Sequence, residues 1–242
     1  MTGKYFVFFI LAGFLFISGC SRIHIHFNSY QSRTRAFPTA SSENTIAIAI
    51  GSGLDEPLLD EEVTAKIVYM LHTRGYQVVP QEEARYIMSC WYAIDSGKTY
   101  TGIMPIYEPG EVVTRHVQNS RGRWKTVTTH LPGYTQYIPY SYTVFAKQLG
   151  LTLQKNQLPN EKQETVSAES IIWRCTNINA DESPDLRGRI SPMLVMAFDY
   201  LGKNTGRQME ESISVKDKRI RALDEGVNLP TQKSSAVRVW SP

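Results

Sequence analysis

The sequence predicts an α+β fold: a mixed, mostly antiparallel sheet with two main amphipathic helices packed on it and a β-hairpin extension. Three observations predict it. Short apolar segments, alternating or continuous, recur along the chain between turn residues. Two stretches, near residues 60 and 195, carry apolar residues at helical spacing. Between them, residues 96–145 hold two alternating runs on either side of a turn. Of the 242 residues, 42% are hydrophobic, 11% aromatic and 20% charged, the balance of a folded globular chain. The net charge of +3 is far from the concentrated basic excess of a DNA-binding domain. Three cysteines are too few for a small disulfide framework.

Lys4 is the sole charged residue ahead of Arg22, and residues 5–17 (YFVFFILAGFLFI) are apolar throughout. A positive start, a short apolar run and small residues after it make a secretory signal peptide. The run is too short for a permanent spanning helix, which needs about 20 apolar residues. Ile17-Ser18-Gly19-Cys20 resembles a bacterial lipobox; the alternative is an ordinary signal peptide with a chance cysteine. The lipobox implies a diacylglyceryl group on the Cys20 thiol, cleavage just before it, and acylation of the new amino group with a fatty chain such as palmitate. Several chains anchor stably where one is marginal. Ser21, by resemblance to enterobacterial lipoproteins, favours the outer membrane. The expected organisation is a signal peptide at 1–19, a lipidated cysteine and tether at 20–43, an α+β domain at 44–215 and a polar tail at 216–242.

Arg22 to Phe27 alternates, placing His24 and His26 on one strand face and Ile23, Ile25 and Phe27 on the other. Residues 29–45 are polar and read as tether. Residues 45–50 (TIAIAI) form a strand ended by Gly51-Ser52-Gly53. Pro57 opens a helix running to about Arg74, with Leu59, Val63, Ile67, Met70 and Leu71 as its buried stripe and Gly75 after it. Residues 76–79 are a short strand, 82–84 a turn, and 86–94 (YIMSCWYAI) a central strand apolar on both faces. Residues 96–145 hold six of the 13 Tyr and four of the 12 Pro. Within them, 111–118 and 123–131 form a hairpin around Asn119-Ser120-Arg121-Gly122. Strands follow at 134–153 and 165–177. A second helix carries Ile190, Met193, Leu194, Ala197, Phe198 and Leu201, with Ser191 as N-cap, Pro192 at the first helical position and Gly202 as its stop. Residues 206–215 add a last strand.

The order of a helix ending in Arg74-Gly75-Tyr76, a short strand, a long strand, a variable middle, a strand carrying Ile172-Trp173-Arg174 and a final helix resembles a group of bacterial envelope lipoprotein domains of unknown function. The resemblance covers roughly residues 44–205. It implies an α+β fold and residence in the envelope, and it carries no catalytic residues.

The chain has no nucleophile elbow, Gly-rich phosphate or dinucleotide loop, His-Glu-x-x-His or Cys-x-x-Cys. Gly51-Ser52-Gly53 lacks the further glycines and lysine of a phosphate loop and reads as a turn. His24 and His26 could supply two metal ligands, but zinc needs a third or fourth, so no metal or other cofactor is expected. For Cys90 and Cys175, an oxidising compartment leaves two readings open, a disulfide or two separately buried thiols. In 96–145 the basic residues Lys98, Arg115, Arg121, Arg123 and Lys125 outnumber Glu108 and Glu111. Cations beside aromatic faces suit glycans, lipid headgroups or a protein, which makes Arg121, Arg123, Trp124, Lys125, Tyr134 and Tyr137 the candidate binding residues. The bland alternative is ordinary strand aromatics on a solvated face. The expectation is a non-enzymatic lipoprotein, anchored in the outer membrane by acylated Cys20 and facing the periplasm, that acts as a binding or assembly module. Its partner would be an envelope protein or cell-wall glycan, not nucleic acid. The alternatives are a structural subunit of an outer-membrane complex and, less favoured, a hydrolase of envelope glycans.

Overall fold

The computed structural model describes residues 21–41, 43–51, 54, 56–118, 120–156 and 170–227. The signal peptide expected at 1–19 and Cys20 lie outside the described residues, as do 157–169 and 228–242. The described elements are, in order, β1 (Arg22–Gln31), β2 (Ile46–Ile50), α1 (Pro57–His72), a 3-10 turn (Gln81–Glu83), β3 (Tyr86–Ile94), β4 (Lys98–Glu108), β5 (Val112–Gln118), β6 (Trp124–His130), β7 (Tyr134–Lys155), β8 (Ile171–Asp181), α2 (Arg187–Asp199), β9 (Met209–Ser214) and α3 (Lys218–Val227). They divide into two units, one of residues 1–96 and 145–242 and one of residues 97–144.

In the first unit the sheet order is β2-β3-β7-β8-β1-β9, with the second half of β7 in the middle. The β2–β3 pair is parallel and every other pair antiparallel. The chain therefore has the α+β fold its sequence predicts, a mixed and mostly antiparallel sheet with helices packed on it, and a third helix besides. The core gathers Ile23, Ile25 and Phe27 of β1, Met88, Cys90 and Tyr92 of β3, Leu149, Leu151 and Leu153 of β7, and Trp173 and Cys175 of β8 against α1 and α2.

Helix α1 follows its sequence signals closely. Pro57 stands in the first turn, and Val63, Ile67, Met70 and Leu71 are buried. Its end is a Schellman closure: Gly75 has φ +83°, the Tyr76 N–H donates to Leu71 O at 3.1 Å and the Gly75 N–H to His72 O at 2.9 Å. Strand β3 matches its predicted span, between β2 and β7.

Several expectations are corrected. The tether at 20–43 contains β1, which pairs with β8 on one side and β9 on the other. Its polar second half stays in the sheet because Ser29 is fully satisfied while buried: its Oγ donates to Lys203 O at 2.7 Å and accepts from Trp173 Nε1 at 2.8 Å. Residues 37 and 38 also lie on this unit, where Phe37 meets the Trp173 ring edge-on and Pro38 O accepts from the Tyr76 hydroxyl at 2.8 Å. The strand expected at 76–79 is a single bridge, Ile46 to Val78, because Pro80 has no N–H with which to continue it.

Strand β8 runs on to Asp181 instead of stopping at Asn177. Asn177 and Asn179 are buried, and their amides donate to Met193 O at 2.7 Å and His24 O at 2.9 Å. Residues 165–169, expected to open this strand, lie outside the described residues. Helix α2 starts at Arg187, with Asp185 Oδ1 accepting from the Gly188 N–H at 2.9 Å. Ser191 is therefore not its N-cap, and Pro192 lies inside the helix. The polar tail at 216–242 opens with α3, whose Ile220 and Leu223 are buried.

Candidate functional site

The second unit is a long β-ribbon. Strand β4 pairs antiparallel with the first half of β7, from Lys98 opposite Val144 to Glu108 opposite Tyr134. Strands β5 and β6 pair from Val112 opposite His130 to Gln118 opposite Trp124. Both ladders obey one rule, residue n opposite residue 242 − n, so they are two stretches of one hairpin in a single register. Strand β4 lies where the sequence predicts no strand of its own, since Gly102 and Pro105 interrupt its apolar pattern.

The ladders are separated at 109–111 and 131–133, where the Leu131 N–H still donates to Glu111 O at 2.8 Å. Two glycines permit this close approach. A Cβ on Gly110 would stand 2.3 Å from Leu131 O, and one on Gly133 would stand 2.3 Å from the Tyr107 hydroxyl. At the tip Gly122 takes φ +76°, a conformation that favours glycine.

Among the described residues of 97–144, none is buried. Opposed residues of an antiparallel pair share a face. One face of the β4–β7 ladder therefore carries Tyr100, Met104 and Ile106 with Ile138, Tyr140 and Tyr142. Tyr100 stacks on Tyr142 with ring centroids 5.5 Å apart, Tyr140 stacks on Tyr142 at 6.2 Å, and Lys98 Nζ sits 5.3 Å from the Tyr100 ring centre. The opposite face is mixed, with Thr99, Thr101, Thr135, Ser141 and Thr143 beside Ile103, Tyr107 and Tyr137. The Thr99 and Thr143 hydroxyls lie 3.0 Å apart.

The six candidate binding residues all fall on this ribbon but do not form one cluster. Arg121, Arg123, Trp124 and Lys125 lie at its tip, with Trp124 70% exposed. Tyr134 and Tyr137, 63% and 68% exposed, belong to the other ladder. Ten residues of extended chain separate Trp124 from Tyr134, on the order of 33 Å. Composition signalled the aromatic content of 96–145, whereas grouping its side chains needs the pairing rule.

Cys90 and Cys175 are free and buried. Both stand opposite Leu151, from its two sides. Two strand spacings put their Cα atoms about 9.6 Å apart, beyond the roughly 7 Å that a disulfide spans, so the disulfide reading is overturned. Burial raises the Cys90 thiol, with the Asp60 charge adding to it, and pushes Cys175 up to about 12. Both therefore stay protonated and unreactive at neutral pH.

His24 and His26 share the outward face of β1 as expected, with Glu210 beside them: His24 Nδ1 lies 3.3 Å from Oε1 and His26 Nδ1 3.9 Å from Oε2. Among the described residues no group of three or more His, Cys, Asp or Glu side chains is arranged to hold a metal ion. No described helix is long and apolar enough to cross a membrane.

One constellation escaped sequence reasoning. Buried Lys66 donates to Glu62 Oε1 at 2.6 Å and Ser191 Oγ at 2.8 Å, and lies 3.1 Å from Asp224 Oδ1. Ser191 Oγ donates to Asp224 at 2.6 Å. A serine beside a lysine suggests nucleophile and base, but here Lys66 Nζ is engaged at once by oxygens of Glu62, Ser191 and Asp224, and Ser191 Oγ is itself turned to Asp224. This is a clamp joining α1, α2 and α3.

No protein-family model and no curated protein sequence matches the chain. Among solved structures, a PDZ domain protein from Parabacteroides distasonis is similar, at 12% identity and TM-score 0.39, over 84% of this chain and 42% of its own length. A PelC dodecamer from Paraburkholderia phytofirmans is similar at 11% identity and TM-score 0.35, over 74% of this chain and 99% of its own.

Proposed function

We propose that the chain is a membrane-anchored envelope lipoprotein that acts without catalysis, as a binding or assembly module on the periplasmic side of the outer membrane. Acylated Cys20 holds it to the bilayer and the ribbon of residues 97–144 is its working surface. The observation that carries the reading is this ribbon, which has no buried residue among those described and displays Tyr107, Trp124, Tyr134 and Tyr137 each more than 60% exposed. A monomer spends no such surface on its own stability, and the contiguous exposed face of Tyr100, Met104, Ile138, Tyr140 and Tyr142 marks an interaction site. The basic residues at the tip suit an anionic glycan or an acidic protein surface.

The anchor is tested by Cys20→Ser, which should move the protein from the membrane fraction to the soluble periplasm and abolish labelling by a palmitate analogue. Unchanged membrane retention would refute the anchor. The working surface is tested by replacing Arg121, Arg123 and Trp124 together, which should weaken partner capture while the unfolding free energy stays within about 0.5 kcal/mol of the parent, as for exposed substitutions. Undiminished capture would refute the assignment at the tip.

A further inference from the structure

Resting on that reading, which brings the chain to a bilayer, we propose that the ribbon's partner is a second copy of this chain. Copies align their ribbons edge to edge, β4 of one beside the first half of β7 of the next. They close a barrel that crosses the bilayer with the Tyr100, Met104, Ile106, Ile138, Tyr140 and Tyr142 face on lipid.

Four features of the ribbon converge on this arrangement. A two-stranded ribbon is at best marginal alone in water, so a ribbon without buried residues needs a covering. Its apolar face cannot be covered by the same face of one other copy: about 37 Å of ladder by about 10 Å of width is roughly 370 Å² per copy, under half of the ~800 Å² per partner of a stable interface.

The dimensions and pattern fit a membrane strand. The 11 residues of β4, tilted by about 45°, rise about 26 Å, close to the apolar band of about 25 Å in outer-membrane barrels. Neither 99–107 nor 135–143 contains Asp, Glu, Lys, Arg or His, while Lys98 and Glu108 close the two ends of β4. The six apolar side chains share one face, the one suited to lipid, while the other is mixed, its threonines and Ser141 standing beside Ile103, Tyr107 and Tyr137.

Open edges then call for neighbouring copies. Hydrocarbon does not tolerate unpaired backbone donors and acceptors, and the outer edges of β4 and of residues 134–144 have no strand partner among the described residues. Pro105 and Pro139 each remove at most one donor from these edges. The next copy offers an arm of matching length in the antiparallel sense, and one head-to-tail contact repeated with a rotation that closes gives a ring. Beyond the apolar ladder, β5 and β6 set Thr114, Arg115, His116, Lys125, Thr126, Thr128 and His130 among Val112, Val113, Val117, Trp124 and Val127, so charge and imidazole return to the ribbon past Glu108 and Tyr134.

The test uses the full lipidated chain in vesicles of phosphatidylethanolamine and phosphatidylglycerol. An environment-sensitive fluorophore is placed on single Cys variants, Met104→Cys and Ile138→Cys on one face, Thr101→Cys and Ser141→Cys on the other. Labels at 104 and 138 should shift to the blue and be quenched several-fold by spin-labelled lipid, those at 101 and 141 should respond to an aqueous quencher, and chemical crosslinking should give a ladder of multiples of one chain. Ile138→Arg should abolish ladder and lipid quenching while leaving the unfolding midpoint of the first unit unchanged. Protein that floats with the vesicles but stays monomeric, or whose four labels all remain in water, would overturn the barrel and leave the anchor standing. Protein that captures a different envelope protein through these faces would overturn it too. Failure to float would overturn the anchor and the barrel together.

Discussion

Removal of the ribbon should leave the rest of the protein folded. The proposed variant joins Ser96 to Phe145 through Asn-Gly, a two-residue turn suited to an antiparallel hairpin. The ends are already in place: Ile94 stands opposite Lys147, the Asp95 N–H donates to Ala146 O at 3.0 Å, and the Ala146 N–H donates to Asp95 Oδ1 at 2.9 Å. The hydrophobic core and the half-buried side chains packed on it include no residue of 97–144, so the apolar cost of the deletion is close to zero. Shortening the connection from about 50 residues to about 4 lowers the closure entropy by (3/2)RT ln n, a gain of about 2 kcal/mol as an upper limit. With a urea m-value of about 2–3 kcal/mol/M for a chain of this size, the midpoint should stay level or rise by up to about 1 M. Urea unfolding followed by far-UV circular dichroism reads this directly. A midpoint lower by more than about 0.5 M, or loss of a single cooperative transition, would show that the ribbon holds the first unit together and is not a working appendage.

Three further outcomes follow from the interior. Lys66→Met strips the cation from between Glu62 and Asp224; because Asp224 is 48% exposed and can rehydrate, the expected loss is about 1–3 kcal/mol, with faster proteolysis within 218–227, and an unchanged midpoint would remove the clamp from the account. Burial would raise the Asp181 carboxyl, but hydrogen bonds from Lys147 and Arg189 outweigh it and hold the group below the usual carboxylate range. A depressed carboxylate stabilises above its unfolded value of about 3.9 and loses that contribution as pH falls through the folded value, so Asp181→Asn should be less stable than the parent at pH 7 and the gap should narrow below about pH 4; a gap independent of pH would contradict the ion pair. Cys90 and Cys175 should titrate as two thiols after unfolding and resist modification in the folded state, whereas unfolded, unreduced protein lacking both thiols would refute the strand spacing.

The residues that were legible in the sequence are those whose partners are local or whose pattern repeats. Helix α1 shows itself through Pro57, the Val63-to-Leu71 stripe and Gly75, all within one segment. Strand β3 is legible because both faces of 86–94 are apolar. The true lengths of β1 and β8 were hidden because Ser29, Asn177 and Asn179 look like surface residues; their hydrogen bonds reach Lys203, Met193 and His24, far away in sequence. The start of α2 was obscured by Ser191-Pro192, a plausible cap whose serine instead serves the Lys66 clamp. Helix α3 escaped because two buried residues, Ile220 and Leu223, make too little periodicity to stand out from a polar tail. At the candidate site, exposed Trp124 and the basic tip could be read from composition, while the apolar face of Tyr100, Met104 and Ile138 emerges only once residues are paired about the turn.

The central claim, that the ribbon is the surface through which this protein works, is tested most directly by site-specific photocrosslinking in intact cells. A photoreactive residue replaces Tyr137 on the ribbon or Leu58 on α1, which is 81% exposed and serves as the control. The account expects a discrete adduct from position 137 and none from position 58. Adducts from position 58 with none from position 137 would contradict it.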